Sequence, residues 1–251
     1  MLSLTRSYER LDNSRNRKRE KRRMPYSKVR EIVQQNDTSL YSYKYGANVA
    51  RAKGYAGFRK RLRLKKLLPF INPQAGEKIL EIGCNDGTFV RAVAQHGAEV
   101  IGVDINQEMI MALHDEHFMT MPATNLTFPD NTFDKIYSFE VIEHIPEIEK
   151  CFSEACRVLK ENGQLIVSFP WEIIRGQAAI GDSLQVYHNI HYSRKLHAHK
   201  LSPQKVKAIT EELPFIVHKS VLRAIPFPSY VMVFEKRNDL LPSPARRLTS
   251  C

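Results

Sequence analysis

The stretch Lys78–Phe89, KILEIGCNDGTF, constrains the fold of this chain more than any other. Ile79, Leu80 and Ile82 form a short apolar run, the pattern of a strand buried on both faces. Glu81 interrupts it, and a carboxylate there must meet a partner or an open crevice. Gly83-Cys84-Asn85-Asp86-Gly87 follows, a turn with glycine at each end, and Phe89–Ala94 then has helix-forming residues. Strand, glycine turn and helix is the layout of a nucleotide site. The turn lets a ligand approach bare backbone, and N–H groups at the helix start point at it.

A second acid stands where such a site needs one. Glu99–Asp104, EVIGVD, reads as the next strand and ends in Asp104, seventeen residues after Gly87. A carboxylate at the tip of the second strand accepts hydrogen bonds from ribose hydroxyls. The turn does not read G-x-G-x-x-G, and Glu81 would repel a phosphate and suit a cation. A ribose at one end and positive charge at the other describe S-adenosylmethionine. An ordinary strand-to-helix connection explains the glycines but not Glu81 together with Asp104.

LEIGCNDGTF followed by VIGVDIN resembles motifs I and II of the class I, seven-strand methyltransferases, with the type 11 group the nearest in flavour. Phe128–Ile145, FPDNTFDKIYSFEVIEHI, is similar to the family's fourth-strand region, and Arg157–Pro170, RVLKENGQLIVSFP, to the segment entering its fifth strand. The resemblance runs from Leu62 to Lys236. It implies an α/β fold: a Rossmann-like, doubly wound sheet of seven strands, mostly parallel, with an antiparallel C-terminal edge hairpin and helices on both faces. It also implies methyl transfer from S-adenosylmethionine. Asn85 stands where the family has glycine, and asparagine is the next best residue for a left-handed backbone.

The resemblance carries roles onto particular residues. Gly83, Cys84, Asn85 and Gly87 make the cofactor turn, Glu81 neutralises the positive end, and Asp104 fixes the ribose. Ile105 and Met109 lie on the adenosine side, where Met109 packs on adenine or simply into the core. Ala123 and Thr124 flank the adenine, with no acid there to hold its amino group. Phe139, Glu140 and Val141 border the methionine moiety at the end of the fourth strand. His144 is the candidate general base, since imidazole titrates near working pH; its other reading is a structural hydrogen bond at a helix start. For the acceptor, Tyr43 and Tyr45 are lid candidates, or aromatics packing a lid onto the body. Trp171 and His191 lie in Pro170–His199, the insertion expected to shape the pocket. H-N-I-H and H-A-H in that insertion invite a metal, but no nearby acid or thiol completes a set, so none is expected.

Basic charge is concentrated at the front. Residues 1–70 hold 20 Lys/Arg and 5 Asp/Glu, a net of +15, whereas residues 71–251 hold 18 and 22, a net of −4. Residues 1–24, with the run RNRKREKRR, read as a mobile tail that is solvated or touches RNA or an anionic membrane. Residues 25–70 read as a helical lid or extension in which Phe58–Phe70 is amphipathic with its Lys and Arg facing outward. Residues 71–237 form the methyltransferase domain and 238–251 a second mobile tail. Four cysteines without a C-x-x-C pair read as reduced thiols in a cytoplasmic protein, free or peripheral to a membrane, and no apolar run approaches a membrane span. The sequence therefore points to methylation of a small organic or lipid-like acceptor. RNA methylation gripped by the basic front is the second reading, and a non-catalytic, cofactor-binding assembly partner the third.

Overall fold

The computed structural model describes residues 55–171, 197–223, 228–237 and 239. Helix α1 (Tyr55–Ile71) leads into β1 (Lys78–Ile82), α2 (Thr88–Ala94), β2 (Glu99–Asp104), α3 (Gln107–Leu113), β3 (Phe118–Thr120) and β4 (Phe133–Phe139). A single 3₁₀ turn (Ile142–His144) precedes α4 (Ile148–Val158), β5 (Leu159–Pro170), α5 (Pro203–Ile209), β6 (Phe215–Arg223) and β7 (Ser229–Lys236). The seven strands form one sheet in the order β3-β2-β1-β4-β5-β7-β6. β1, β2, β3, β4 and β5 pair in parallel, and β7 runs antiparallel between β5 and β6. This is the Rossmann-like, doubly wound sheet with its antiparallel C-terminal pair.

The apolar runs become strands because both faces of the sheet are covered. In β1 the side chains alternate. Leu80 and Ile82 join a core with Ile136, Val167, Phe152 of α4 and Val206 of α5. Ile79 joins the opposite core with Leu67 and Ile71 of α1, Val90 and Val93 of α2, and Tyr137. The two-residue period of a strand therefore puts Glu81 on the α1 side, and the register sets it beside Tyr137 of β4. The order of strands reverses between β1 and β4, which opens a crevice at their carboxyl ends, the position where such sheets take ligands.

Three local expectations change. Helical spacing over Glu149–Leu159 with Gly163 beyond it predicts a helix stop at the glycine, but α4 ends at Val158. Leu159 enters the sheet directly, pairing with Phe133, while Gln164 pairs with Lys135, so residues 160–163 bulge out of the ladder with Asn162 in the left-handed region at φ 61°. Ser202-Pro203 predicts a capped start for a helix over Gln204–Leu213; Ser202 does accept from the Lys205 amide at 3.2 Å, with Pro203 at the first position, but the helix ends at Ile209. The cations of α1 do not all face outward, as the site makes plain. The tails 1–24 and 238–251 and the first part of the 25–70 extension fall outside the described residues, Asp239 of the second tail excepted. No helix among the described residues is long and apolar enough to cross a membrane.

Candidate functional site

The glycine turn between β1 and α2 is built on left-handed backbone, with φ of 79° at Gly83, 49° at Asn85 and 69° at Gly87. Asparagine at the middle position adopts this conformation, so the turn survives the departure from glycine. The two glycines serve packing. A Cβ on Gly83 would sit 2.3 Å from Val141 Cγ2, and one on Gly87 would sit 2.3 Å from Phe118 Cζ. The space that the sequence reading reserved for a ligand's approach is filled by the protein's own side chains.

Five amides in and just after the turn are also spent within the protein. Gly83 and Cys84 both donate their amides to the Val103 carbonyl, at 2.8 and 3.0 Å, and Gly87 donates to the Cys84 carbonyl at 2.9 Å. Asn85 donates its amide to Asp104 Oδ2 at 2.9 Å, and Thr88 donates its amide to Asp86 Oδ1 at 3.2 Å. A phosphate needs such N–H groups unspent. Cys84 is thus removed from the candidate lining: its amide and carbonyl are used within the protein, and its buried thiol packs where Gly102 of β2 leaves room. Burial pushes that thiol well up, away from reactivity.

Acceptors, by contrast, crowd the site. Glu81 is 4% exposed and accepts from the Tyr137 hydroxyl at 3.0 Å. Burial holds its carboxyl well above the usual carboxylate range; the Tyr137 hydrogen bond and Lys60 oppose that, while Asp86 and Asp104 reinforce it. Asp104 accepts a second amide, from Asn106, at 2.9 Å, yet burial outweighs these bonds and raises its carboxyl as well. Asp86 goes the other way. Burial would raise it, but Lys60, which forms an ion pair with Oδ1, and Thr88, whose hydroxyl donates at 2.8 Å, together hold it below its ordinary value. Asn85 Oδ1 is buried and, among the described residues, accepts no hydrogen bond. Next to Asp104, Ile105 is a large apolar side chain left 42% exposed.

Glu140 closes the crevice from the end of β4. Its φ is 59°, a strained conformation for this residue. Its amide is donated to the Ser168 carbonyl at 2.9 Å, and its carboxylate lies 3.8 Å from Arg63 Nη2 of α1. Lys60 and Arg63, one helical turn apart, are therefore site residues that the sequence reading turned to solvent. The hydrophobic period of α1 does not distinguish inward from outward cations, and only the carboxylates across the crevice do.

The remaining candidates divide. Met109 is 5% exposed, and α3 begins where Asn106 Oδ1 accepts its amide at 3.1 Å. Phe139 is buried edge-on against Phe89, with ring centroids 5.7 Å apart, and belongs to the core rather than to the crevice. Ala123 and Thr124 are half-buried after β3, within the loop anchored by the Met121 amide donating to the Asp104 carbonyl at 2.9 Å. His144 is half-buried, and its ring meets that of His197 at 4.8 Å. The fold thus brings His144 against His197 of the H-A-H sequence. Trp171 meets Tyr230 edge-on at 6.5 Å at the end of β5. Tyr43, Tyr45 and His191 lie outside the described residues.

Residues 80–167 match the family model described as a methyltransferase domain. The chain is 35% identical over 154 residues to 24-methylenesterol C-methyltransferase 2 of Arabidopsis thaliana, covering 53% of this chain and 41% of that protein. It is 30% identical over 149 residues to sterol 24-C-methyltransferase of Eremothecium gossypii, covering 53% and 40%. The chain thus spans about two fifths of the length of these two relatives. Among solved structures, a SAM-dependent methyltransferase from Aquifex aeolicus superposes with a TM-score of 0.57 at 16% identity, covering 76% of this chain and 97% of that one. The [4+2]-cyclase SpnF superposes at 0.56 and 15% identity, covering 74% and 83%, so the fold alone does not fix the reaction.

Proposed function

We propose, from the premise that residues 80–167 form a class I methyltransferase domain, that this chain transfers a methyl group from S-adenosylmethionine to a small organic or lipid-like acceptor. The observation that carries the reading is the imbalance of the crevice. The amides of Gly83, Cys84, Asn85, Gly87 and Thr88 are spent within the protein, while Glu81, Asp86, Asp104 and the unsatisfied Asn85 Oδ1 concentrate acceptor oxygens there. Such a surface suits a ligand bearing hydroxyl donors and positive charge, and it disfavours a phosphate.

When bound, S-adenosylmethionine supplies a methyl group activated by its sulfonium. Asp104 and Asn85 would receive the ribose hydroxyls, and Ile105 and Met109 would flank the adenine. Glu81 and Asp86 would answer the positive charge. The protein's remaining task is to hold the acceptor atom roughly 3 Å from the methyl carbon, in line with the bond that breaks, and to keep water out. Val141, seated over Gly83, and Glu140, 3.8 Å from Arg63, would border that point. Trp171 and Tyr230 provide aromatic surface on the acceptor side, where Tyr43, Tyr45 and His191 would also contribute. The sterol methyltransferases among the relatives support an apolar acceptor.

Asp104→Asn keeps one carboxamide oxygen and loses an anionic acceptor, so S-adenosylmethionine affinity measured by titration calorimetry is expected to fall roughly tenfold, about 1.4 kcal/mol. Unchanged affinity would remove Asp104 from the ribose site. The reaction itself is tested with purified protein, methyl-labelled S-adenosylmethionine and a cell extract with and without RNase. Label in the organic-soluble or small polar fraction, indifferent to RNase, supports the proposal. Label lost on RNase treatment transfers the function to RNA and gives the basic residues 1–24 the substrate. Cofactor binding with no label anywhere makes the chain a binding partner rather than an enzyme.

A further inference from the structure

The turn after β4 gathers a second set of ligating groups that the cofactor crevice does not use. Glu143, 1% exposed, and half-buried His144 come from the 3₁₀ turn. Half-buried His197 arrives from beyond β5. The His144 and His197 rings stand edge to face at 4.8 Å, and His144 Nε2 is 3.8 Å from Glu143 Oε1. One ligand atom from each of the three lies within 4.8 Å of the other two. The backbone holds this convergence in place. His199 donates its amide to the Glu143 carbonyl at 3.0 Å, and its Nε2 lies 3.0 Å from the Ile145 and Pro146 carbonyls. The strand of chain bearing His197 is therefore pinned to the turn bearing Glu143 and His144. The acid that the sequence reading found missing beside H-A-H is Glu143, supplied by the fold.

We propose that Glu143, His144 and His197 bind one divalent first-row transition ion. Two imidazole nitrogens and one carboxylate oxygen suit Zn²⁺, Fe²⁺, Co²⁺ or Ni²⁺, whereas Mg²⁺ and Ca²⁺ prefer sets made of oxygen. Bonds of ~2.0–2.1 Å place tetrahedral donors roughly 3.3 Å apart, so the three groups close on an ion by modest side-chain rotation. Three protein ligands leave at least one position open for water or an acceptor oxygen. The site follows directly on Glu140 and Val141 in the chain, just beyond the carboxyl end of β4. His144 is then a ligand, and its nitrogen is not a free base. The role toward the acceptor rests on the methyl-transfer reading, but binding of the ion does not.

The full chain, stripped with chelator, is titrated with Zn²⁺ by calorimetry and with Co²⁺ by its visible absorption, with Mg²⁺ as the control. One Zn²⁺ per chain is expected, with a Co²⁺ spectrum of tetrahedral or five-coordinate type and no displacement by Mg²⁺. Glu143→Gln and His197→Ala should each lower Zn²⁺ affinity at least ~10-fold, whereas His96→Ala, at an exposed histidine, should leave it unchanged. Absence of Zn²⁺ binding, equal competition by Mg²⁺, or affinity indifferent to both ligand variants overturns the proposal. Should Glu143→Gln fail to fold by thermal unfolding, His197→Ala decides alone. S-adenosylmethionine affinity is measured on the same samples. Loss of Zn²⁺ with intact cofactor affinity supports the ion site, and Zn²⁺ binding in a chain that takes no S-adenosylmethionine sinks the methyl-transfer reading while leaving the ion site standing.

Discussion

Glu81→Gln is expected to stabilise the ligand-free protein at neutral pH and to weaken S-adenosylmethionine binding about 100-fold, near 3 kcal/mol, the scale of a lost charge-assisted contact. The opposite signs come from one fact. Glu81 is buried on the α1 side of β1 with Tyr137 donating to it, and burial raises its carboxyl well above the ordinary value of 4.5. Folded protein therefore binds the proton more tightly than unfolded protein does. Below about pH 4.5 both forms are protonated and the group is neutral in its effect. As pH rises from there toward the folded-state value, the unfolded chain gains from ionising and the fold does not, so stability falls. Glutamine removes that slope. A bound cation would reverse the balance by favouring the carboxylate, which is why the same substitution should damage binding. Unfolding midpoints between pH 5 and 8 and calorimetric affinity together check this. A variant with unchanged affinity would mean that Glu81 does not meet the positive end of the ligand.

Gly83→Ala is expected to destabilise the fold by roughly 2–5 kcal/mol and to abolish cofactor binding. The left-handed backbone at φ 79° costs an alanine about 1–2 kcal/mol. The overlap of its Cβ with Val141, at 2.3 Å from Cγ2 and 2.8 Å from Cγ1, adds ~1–3 kcal/mol, the usual scale for overpacking. Val141→Ala in the same chain removes both γ carbons and should restore the second part but not the first. Urea denaturation of the two single variants and the double variant measures the coupling directly. Additive behaviour would show that Val141 does not fill the space above Gly83.

The parts of this protein that could be read from its sequence are those where a local pattern has one physical meaning. Ile79, Leu80 and Ile82 had to be a strand covered on both faces, and Asp104 had to stand at the tip of the next. Ser202-Pro203 marked a helix start because a cap and a ring-locked φ agree. The signal failed where one residue type serves two ends. Glycine ends helices and also sits in bulges, so Gly163 was read as a stop, although Leu159 had already been drawn into the sheet by pairing with Phe133. Lysine and arginine on an amphipathic helix look alike whether they face water or a carboxylate. Lys60 and Arg63 thus became site residues only once Asp86 and Glu140 stood opposite them. The approach of His197 to Glu143 depends on a return of the chain after β5 that no local period encodes.

The placement of β7 has a consequence for how the protein is made. Among the described strands β6 pairs only with β7, and β5 pairs with β7 on its far side. A nascent chain that has emerged only through Arg223 therefore cannot seat β6, and β5 is left with an open border lined by Leu165, Val167 and Phe169. At ribosomal rates of ~5–20 residues per second, that border stays unpaired until Ser229–Lys236 arrives. The sheet is completed from within, by the last in the chain of its seven described strands, and the open border is exposed to chaperones in that interval.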